Sequence, residues 1–397
     1  LGIISALGAD LKQNWCSLIE GRPGIAPIES VDTSKLRFQN GAEVRGYDPA
    51  QHFDAGRVDL IDRFAQFALV AARESLADAG LQITPELSSK TAVVTGSCVG
   101  GQNSQETGFS NLYLKNNNRV HPFTIPRTMA NAGASHISME FGIRGPAFTV
   151  STACSSANHA IGQAFWMVRN GQVELALTGG SEAPFSFGLL KAWEAMRVVS
   201  PDTCRPFCKG RQGLILGEGG AMLVLEPLER AQARGAKIYG EIVGFGMSSD
   251  AGHITSPTQE GPAYAMSSAL ADAGIEPKKI GYINAHGTGT AGNDVTETRA
   301  IRQVFGAHAD RLAVSSTKSM HGHALGAAGA LEAVATLMAL REGKLPPTAN
   351  FTVQDPECDL DVVANQPRTA EVECALSNSF AFGGLNAVLA FRKLESS

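Results

Sequence analysis

Short β-branched runs alternate with longer helical stretches through most of this chain, and glycine clusters mark the junctions between them. The runs Thr91–Thr95, Phe148–Ser151, Leu175–Thr178, Ala221–Leu225 and Ala313–Ser316 read as buried strands, because unbroken apolar runs suit a sheet covered on both faces. Helical spacing covers Asp62–Ala79, Ser156–Asn170, Ala263–Ala273, Thr296–Phe305 and Gly326–Arg341. Strands alternating with helices predict an α/β chain with a mainly parallel, helix-covered sheet. The glycines, 43 in 397 residues, gather in TGSCVGG, TGGSE, LGEGG, AHGTGT, GHALGAAGA and AFGGLN, each beside an apolar run. Pro346-Pro347 marks a turn before the last strands. The opening LGIISALGADLKQNW reads as a strand-to-helix turn, with an initial strand expected upstream of it.

Two segments follow one plan. VSTACSSANHAIGQAF and VSSTKSMHGHALGAAGALEA each run from a strand through a polar segment into a helix rich in small residues. The pattern implies an internal duplication with a seam near residues 240–255, giving halves at 1–245 and 246–397. At 44% hydrophobic composition, a chain of this length buries a large core.

The formal net charge of −5 offers no global attraction to nucleic acid or to an anionic membrane. Seven cysteines (Cys16, Cys98, Cys154, Cys204, Cys208, Cys358 and Cys374) are scattered, odd in number and without CxxC spacing. Neither a disulfide framework nor a zinc site is indicated, which suits a reducing compartment. No run approaches the ~18 to 20 apolar residues that span a bilayer, and the first residues lack a basic-then-apolar leader pattern. A soluble, cytoplasmic protein is expected.

Cys154 follows an apolar β-run, precedes a helix, and is flanked by Ser151, Thr152, Ala153, Ser155 and Ser156, all small enough to admit a substrate. Unpaired N–H groups and the dipole at a helix N-terminus predict a lowered thiol pKa and a nucleophilic role. Taken alone, a cysteine is more often an inert core residue. Two histidine segments change that balance: His286 in NAHGTGTAGND and His323 in STKSMHGHALGAAG, followed by the glycine loop SNSFAFGGLN.

In order, the cysteine, the two histidines, the lysine of STKS and the terminal FxFGG loop resemble the β-ketoacyl-acyl-carrier-protein synthase family. The likeness runs from IDRFAQFAL (Ile61–Leu69) through TCRPF and LGEGG (Thr203–Gly220) to the last strands. It implies a thiolase-like α/β fold, with duplicated βαβ halves stacked as α-β-α-β-α layers and the active site at their junction. It also implies decarboxylative Claisen condensation. Cys154 would take an acyl group from its carrier thioester, and His286 and His323 would stabilise the enolate formed when malonyl-carrier loses carbon dioxide. The residue types suit that chemistry, because aligned N–H donors hold an enolate oxygen and neutral imidazoles supply them without protonating the carbanion.

By the same resemblance, Lys318 holds the local hydrogen-bond network together with Glu332. The N–H groups of Cys154 and Phe382 form the oxyanion hole, and Phe380 and Phe382 gate the acyl tunnel. Asp294 and Glu297 match acidic positions for which a structural role is expected. No organic cofactor and no catalytic metal are implied, although the family allows a structural monovalent cation. The implied partners are an acyl carrier protein and either a second copy or a chain-length factor. A basic patch at the tunnel mouth would receive the carrier, with Arg119, Arg127, Lys191 and Arg197 as candidates.

The chain departs from fatty-acid elongation synthases at His321, where a small hydroxyl residue is usual, and at Ala381 and Leu385, where glycines or a threonine are. Cys208, Gly210 and Leu214 also differ within RPFCKGRQGLILGEGG. In style the sequence is closer to the nodulation protein E branch and to type II polyketide ketosynthases that make polyenes. Ala381 is expected to stiffen a loop that glycine leaves loose, and His321 to shape the pocket or bond locally rather than act as a base. A degradative thiolase would carry a second reactive cysteine in the last glycine loop, which reads AFGG here. A silent chain-length subunit would lack the nucleophile, and a cysteine protease would leave the lysine and glycine motifs unexplained.

Overall fold

The structure, a computed structural model, describes residues 1–394. The apolar runs form two main sheets. The first contains β1 (Gly2–Ser5), β2 (Thr91–Gly96), β3 (Ala147–Val150), β4 (Leu175–Glu182) and β5 (Gly219–Leu225), in the order β1-β5-β4-β2-β3. The second contains β6 (Glu241–Ser249), β7 (Ile280–Asn284), β8 (Ala313–Ser315), β9 (Asp361–Val362), β10 (Cys374–Ala381) and β11 (Leu385–Arg392), in the order β6-β11-β10-β7-β8-β9.

Those orders coincide. In each half the first strand pairs antiparallel with the last, the last pairs antiparallel with the one before it, and the next two pairings are parallel. The duplication suggested by the two related segments is therefore a duplication of topology. It also corrects the expectation of mainly parallel sheets, since each sheet is mixed. In the second half the reason is local: three residues join β10 to β11, and a connection that short reverses the chain.

Every strand and helix read from the sequence is present. Two readings are corrected. The opening segment, read as a turn, is the strand Gly2–Ser5, paired with Gly219–Met222. The seam at 245 falls inside β6, which pairs along its length with β11 of the second sheet, so the change of sheet lies between Leu225 and Glu241.

Helices α1 (Arg63–Asp78) and α2 (Ala132–Phe141) cover the outer face of the first sheet. Between the sheets lies α3 (Ser156–Arg169), while α4 (Phe187–Met196) follows β4. The outer face of the second sheet is covered by α5 (Glu260–Ala273), with α6 (Ala291–Phe305) against it. The short α7 (Lys318–His321) leads to α8 (Ala328–Glu342), which joins α3 in the middle layer and touches strands of both sheets. Residues 328–340 of α8 are all buried, as an apolar helix without a polar face must be. The two middle helices meet closely at Gly329, where a Cβ would lie 2.4 Å from Asn158 Oδ1. Asn158 in turn donates to the Ser377 and Ala387 carbonyls at 3.1 and 3.2 Å, tying α3 to the second sheet.

Candidate active site

Between β3 and α3 the chain reverses within five residues, and Ala153 does so at φ 51°, a left-handed conformation costly for any residue with a Cβ. Small hydroxyl side chains stitch the turn. Ser156 Oγ accepts from the Thr152 N–H at 2.9 Å and donates to the Ala153 carbonyl at 2.6 Å, while Ser155 Oγ donates to the Thr152 carbonyl at 2.8 Å. Cys154 is thereby held at the start of the middle-layer helix, buried and at the junction of the halves.

Its thiol contradicts the expectation of a lowered pKa. Burial pushes it up to about 11, against the pull of the Lys318 charge and of the Phe382 and Cys154 N–H groups. Desolvation of a thiolate outweighs what these groups return.

The second half supplies the histidines. After β7, the N–H groups of His286 and Gly287 donate to the two oxygens of Glu297, both at 2.8 Å, and Asn378 Nδ2 donates to the same carboxylate at 3.1 Å. Asp294 similarly accepts from the Phe207 and Gly289 N–H groups at 2.8 and 3.2 Å. Both acids organise the AHGTGT loop and its contact with TCRPF. His323 follows α7, where its N–H donates to the Ile215 carbonyl at 2.6 Å.

Hydrogen bonds decide the tautomers. Lys318 Nζ lies 3.3 Å from His286 Nδ1 and pairs with Glu332, and all three residues are buried. An ammonium can only donate, so His286 Nδ1 accepts and its proton sits on Nε2. The Leu325 N–H donates to His323 Nδ1 at 3.2 Å, which assigns the proton of that ring to Nε2 as well. Burial first, and then the Lys318 charge, hold both imidazoles well below the usual histidine range. They are neutral donors at neutral pH. Their centroids are 5.4 Å apart with planes at 85°, and the Phe380 ring packs 6.0 Å from His286.

A cavity of about 350 Å³ joins these groups: Cys154 from one half, and His286, His323, Phe380 and Phe382 from the other. Thr288 and Thr290 also line it. A larger cavity of about 460 Å³, beside Leu1 and Tyr239, has no cysteine or histidine in its wall. Phe382, Gly383 and Gly384 form the turn of the β10–β11 hairpin, the glycines at φ 85° and 68°. Ala381 is the last residue of β10 and faces Leu385 in the closing pair. The two departures from the elongation synthases are thus one cross-strand pair, and Ala381 belongs to the strand rather than to a loop.

His321 is buried but absent from the cavity wall. Its Nδ1 is 2.8 Å from the Gly322 carbonyl and its Nε2 2.9 Å from Thr317 Oγ1, and burial lowers its pKa to about 3. It ties α7 together. Leu214 packs beside Trp193 and lines the cavity, Cys208 is buried beside Thr352, and Gly210 is exposed.

Of the four basic candidates, the fold brings only Arg197 to this cavity, at the C-terminus of α4. Lys191 bonds the Lys35 carbonyl and Glu194, Arg127 lines a separate cavity with Asp62, and Arg119 is exposed outside the wall. A patch composed of these four is not assembled.

Sequence reasoning passed over Glu182. Fully buried at the end of β4, it accepts from the N–H groups of Cys98, Val99 and Gly326 and from Ser97 Oγ, and burial pushes its carboxyl up to about 7. It fastens the TGSCVGG loop to the turn that carries His323. The TGGSE motif was the available signal, but nothing local shows what its glutamate meets. Trp193, stacked on Phe382, carried no sequence signal at all.

Family comparison agrees with this geometry. Residues 1–231 match the model of the β-ketoacyl synthase N-terminal domain, and residues 239–352 that of its C-terminal domain. The chain belongs to the β-ketoacyl synthase family. It is 47% identical over 394 residues to nodulation protein E of Rhizobium sp. (strain N33), spanning 99% of this chain and 98% of that protein. It is 41% identical over 403 residues to 3-oxoacyl-[acyl-carrier-protein] synthase 2 of Staphylococcus aureus (strain COL), spanning 100% and 97%. The solved ishigamide ketosynthase/chain length factor superposes with a TM-score of 0.95 at 37% identity, over 99% of this chain and 98% of that one.

The β-ketoacyl synthase is accordingly a condensing enzyme of the acyltransferase class with a thiolase-like fold. Its seven cysteines are free. Among the described residues no His, Cys, Asp or Glu cluster suits a metal ion, and no helix is long and apolar enough to cross a membrane.

Proposed function

We propose that Cys154 accepts an acyl group from an acyl carrier protein and that His286 and His323 drive its decarboxylative condensation with malonyl-carrier. The observation that carries this reading is the pair of neutral imidazoles, each accepting at Nδ1 and so presenting Nε2–H, in the cavity that holds Cys154. Sγ attacks the acyl thioester, the thiol proton passes to the departing sulfur so that the carrier leaves as its free thiol, and the N–H groups of Cys154 and Phe382 receive the carbonyl oxygen. Malonyl-carrier then loses carbon dioxide, and its thioester oxygen, now an enolate, takes the two Nε2–H donors. The carbanion attacks the acyl-cysteine and breaks the C–S bond, and the released thiolate takes a proton from solvent to restore the resting thiol. Lys318 and Glu332 position His286 without touching substrate. A thiol held near 11 needs transition-state help from these oxyanion donors, since little thiolate stands ready at neutral pH.

The pathway proposed is specialised lipid or polyketide extension, including polyenes, rather than housekeeping fatty-acid synthesis. The likeness to nodulation protein E and to the ishigamide ketosynthase supports it, as does the Ala381–Leu385 pair under the gate. For a partner we propose a second ketosynthase-fold chain, either a copy or a chain-length factor. The edge strand β3 pairs on one side only, and exposed Phe148, Tyr113, Leu114 and Ile125 lie on it and on nearby helices. For a structural monovalent cation, the suited donors are the buried, unpartnered oxygens Glu332 Oε2 and Ser377 Oγ. Asn284 pairs with Ser377 and donates to the Glu332 carbonyl, which draws these segments together. The ion would supply positive charge beside a buried carboxylate and take part in no step.

Intact-protein mass spectrometry tests the main reading. Acyl-carrier donors of graded length and unsaturation should add their acyl mass to the wild type and not to Cys154→Ala, and malonyl-carrier should discharge it as a β-ketoacyl product two carbons longer. Donors that load both proteins equally would remove the central claim.

A further inference from the structure

The Phe382 ring lies 6.0 Å from that of Trp193 with planes only 26° apart. Both residues line the cavity that holds Cys154, and both belong to the apolar cluster built around Leu190, Leu214, Phe185 and Leu325. Among the described residues, only Val198 and Leu214 also line both. The stacked pair therefore stands where the cavity meets the closed apolar interior.

Its two members differ in freedom. Trp193 sits on α4, which is fastened at both ends. Glu106 accepts from the Phe187 and Gly188 N–H groups at 2.8 and 2.6 Å, and Glu194 accepts from the Arg37 N–H and from Lys191. Phe382 rides on a turn whose next two residues are glycines at positive φ, where a backbone change meets no Cβ penalty. In this pair the indole is the fixed plate and the phenyl ring the movable one.

We propose that Trp193 is a specificity-determining residue: Phe382 closes the acyl channel by resting on the indole, and a linear acyl chain bound at Cys154 takes the same indole face when Phe382 leaves it. The proposal rests on the reading of Cys154 as the acyl carrier. A chain too short to reach the indole gains nothing from opening the stack, whereas a longer one exchanges one apolar contact for another. Acyl length is thus read at Trp193. An aromatic stack of this kind shifts an open–closed equilibrium by about two- to tenfold.

The test compares wild type, Trp193→Phe and Trp193→Leu. Rapid-quench mass spectrometry follows Cys154 acylation from butanoyl- and dodecanoyl-carrier donors. Trp193→Leu should change the dodecanoyl-to-butanoyl rate ratio by about two- to tenfold, with Trp193→Phe lying closer to wild type. Damage to the fold lowers both rates alike and leaves the ratio where it was, so an unchanged ratio overturns the proposal. Tryptophan emission gives an independent reading. Dodecanoylation should alter it in wild type and not in Trp193→Phe, which retains Trp15 and Trp166. An emission change that survives in Trp193→Phe places the chain elsewhere. If no donor loads wild type at all, the reading of Cys154 fails and takes this inference with it, an outcome distinct from loading without length dependence on Trp193.

Discussion

Removing the ammonium of Lys318 should separate stability from catalysis in this enzyme. Lys318 and Glu332 are both fully buried, and Lys318 is the hydrogen-bond partner of Glu332 Oε1, while Oε2 has none. Lys318→Met therefore strands a carboxyl in the middle layer, and breaking a buried pair in this way costs about 3–5 kcal/mol. With an unfolding entropy of about 2.1 cal/mol/K per residue, that corresponds over 397 residues to a fall of about 4–6 °C in Tm. The loss should deepen as pH rises. Glu332 has its pKa raised from 4.5 to about 7 by burial despite Lys318, so the folded chain keeps a proton that the unfolded chain releases, and stability falls as pH rises through that window. Without Lys318 the window extends above 7. Adding Glu332→Leu removes the stranded group and should recover most of the Tm, but it does not return a donor to His286 Nδ1. Losing one aligned oxyanion donor costs about 10²- to 10³-fold in rate, so malonyl decarboxylation should stay depressed in the double variant. Differential scanning fluorimetry between pH 6 and 9, beside a carbon dioxide release assay, reads both arms. A single variant that melts within about 1 °C of wild type, or a double variant whose rate returns with its Tm, would refute the reasoning.

Cys154→Gln should still decarboxylate malonyl-carrier while making no condensed product, because both imidazole donors remain; loss of both activities would show that the histidines are misassigned. His321 is held neutral down to about 3 against an ordinary 6.5, so the unfolded chain alone binds its proton between those values and stability falls as pH drops through them. Chemical denaturation of His321→Gln at pH 5 and 6 should show a pH slope lower by about 1.4 kcal/mol per unit, with condensation retained; an unchanged slope would mean that the ring titrates normally. A Cβ on Gly162 would lie 2.4 Å from the Phe245 ring, and Gly162→Ala should cost about 1–3 kcal/mol by overpacking α3 against β6, a loss that urea titration would detect. Ala381→Gly should cost about 0.5–1 kcal/mol at the end of β10 and speed Cys154 acylation by loosening the hairpin; slower acylation would reverse the role given to the closing pair.

The alternation of strands and helices and the repeated strand–polar–helix segment were legible in the chain itself, because each is written in neighbouring residues, while Cys154, His286, His323 and Lys318 were singled out by the order of motifs that carries the family resemblance. Periodicity and motif order need no knowledge of what packs against what. Everything that depends on distant partners was decided by tertiary structure. The thiol pKa turned upward because burial at the junction of two halves outweighs the helix terminus beside it. The tautomer of His286 follows from Lys318, 32 residues away, and the anchoring of the His323 turn from Glu182, 144 residues from Gly326. Arg127 and Lys191 look as available as Arg197 in the sequence, yet only the fold determines which cation faces the cavity. Desolvation and hydrogen bonding act through space, so a group's protonation and its partners are properties of the packed molecule, whereas its chemical type and its place in a helix or strand are already properties of the chain.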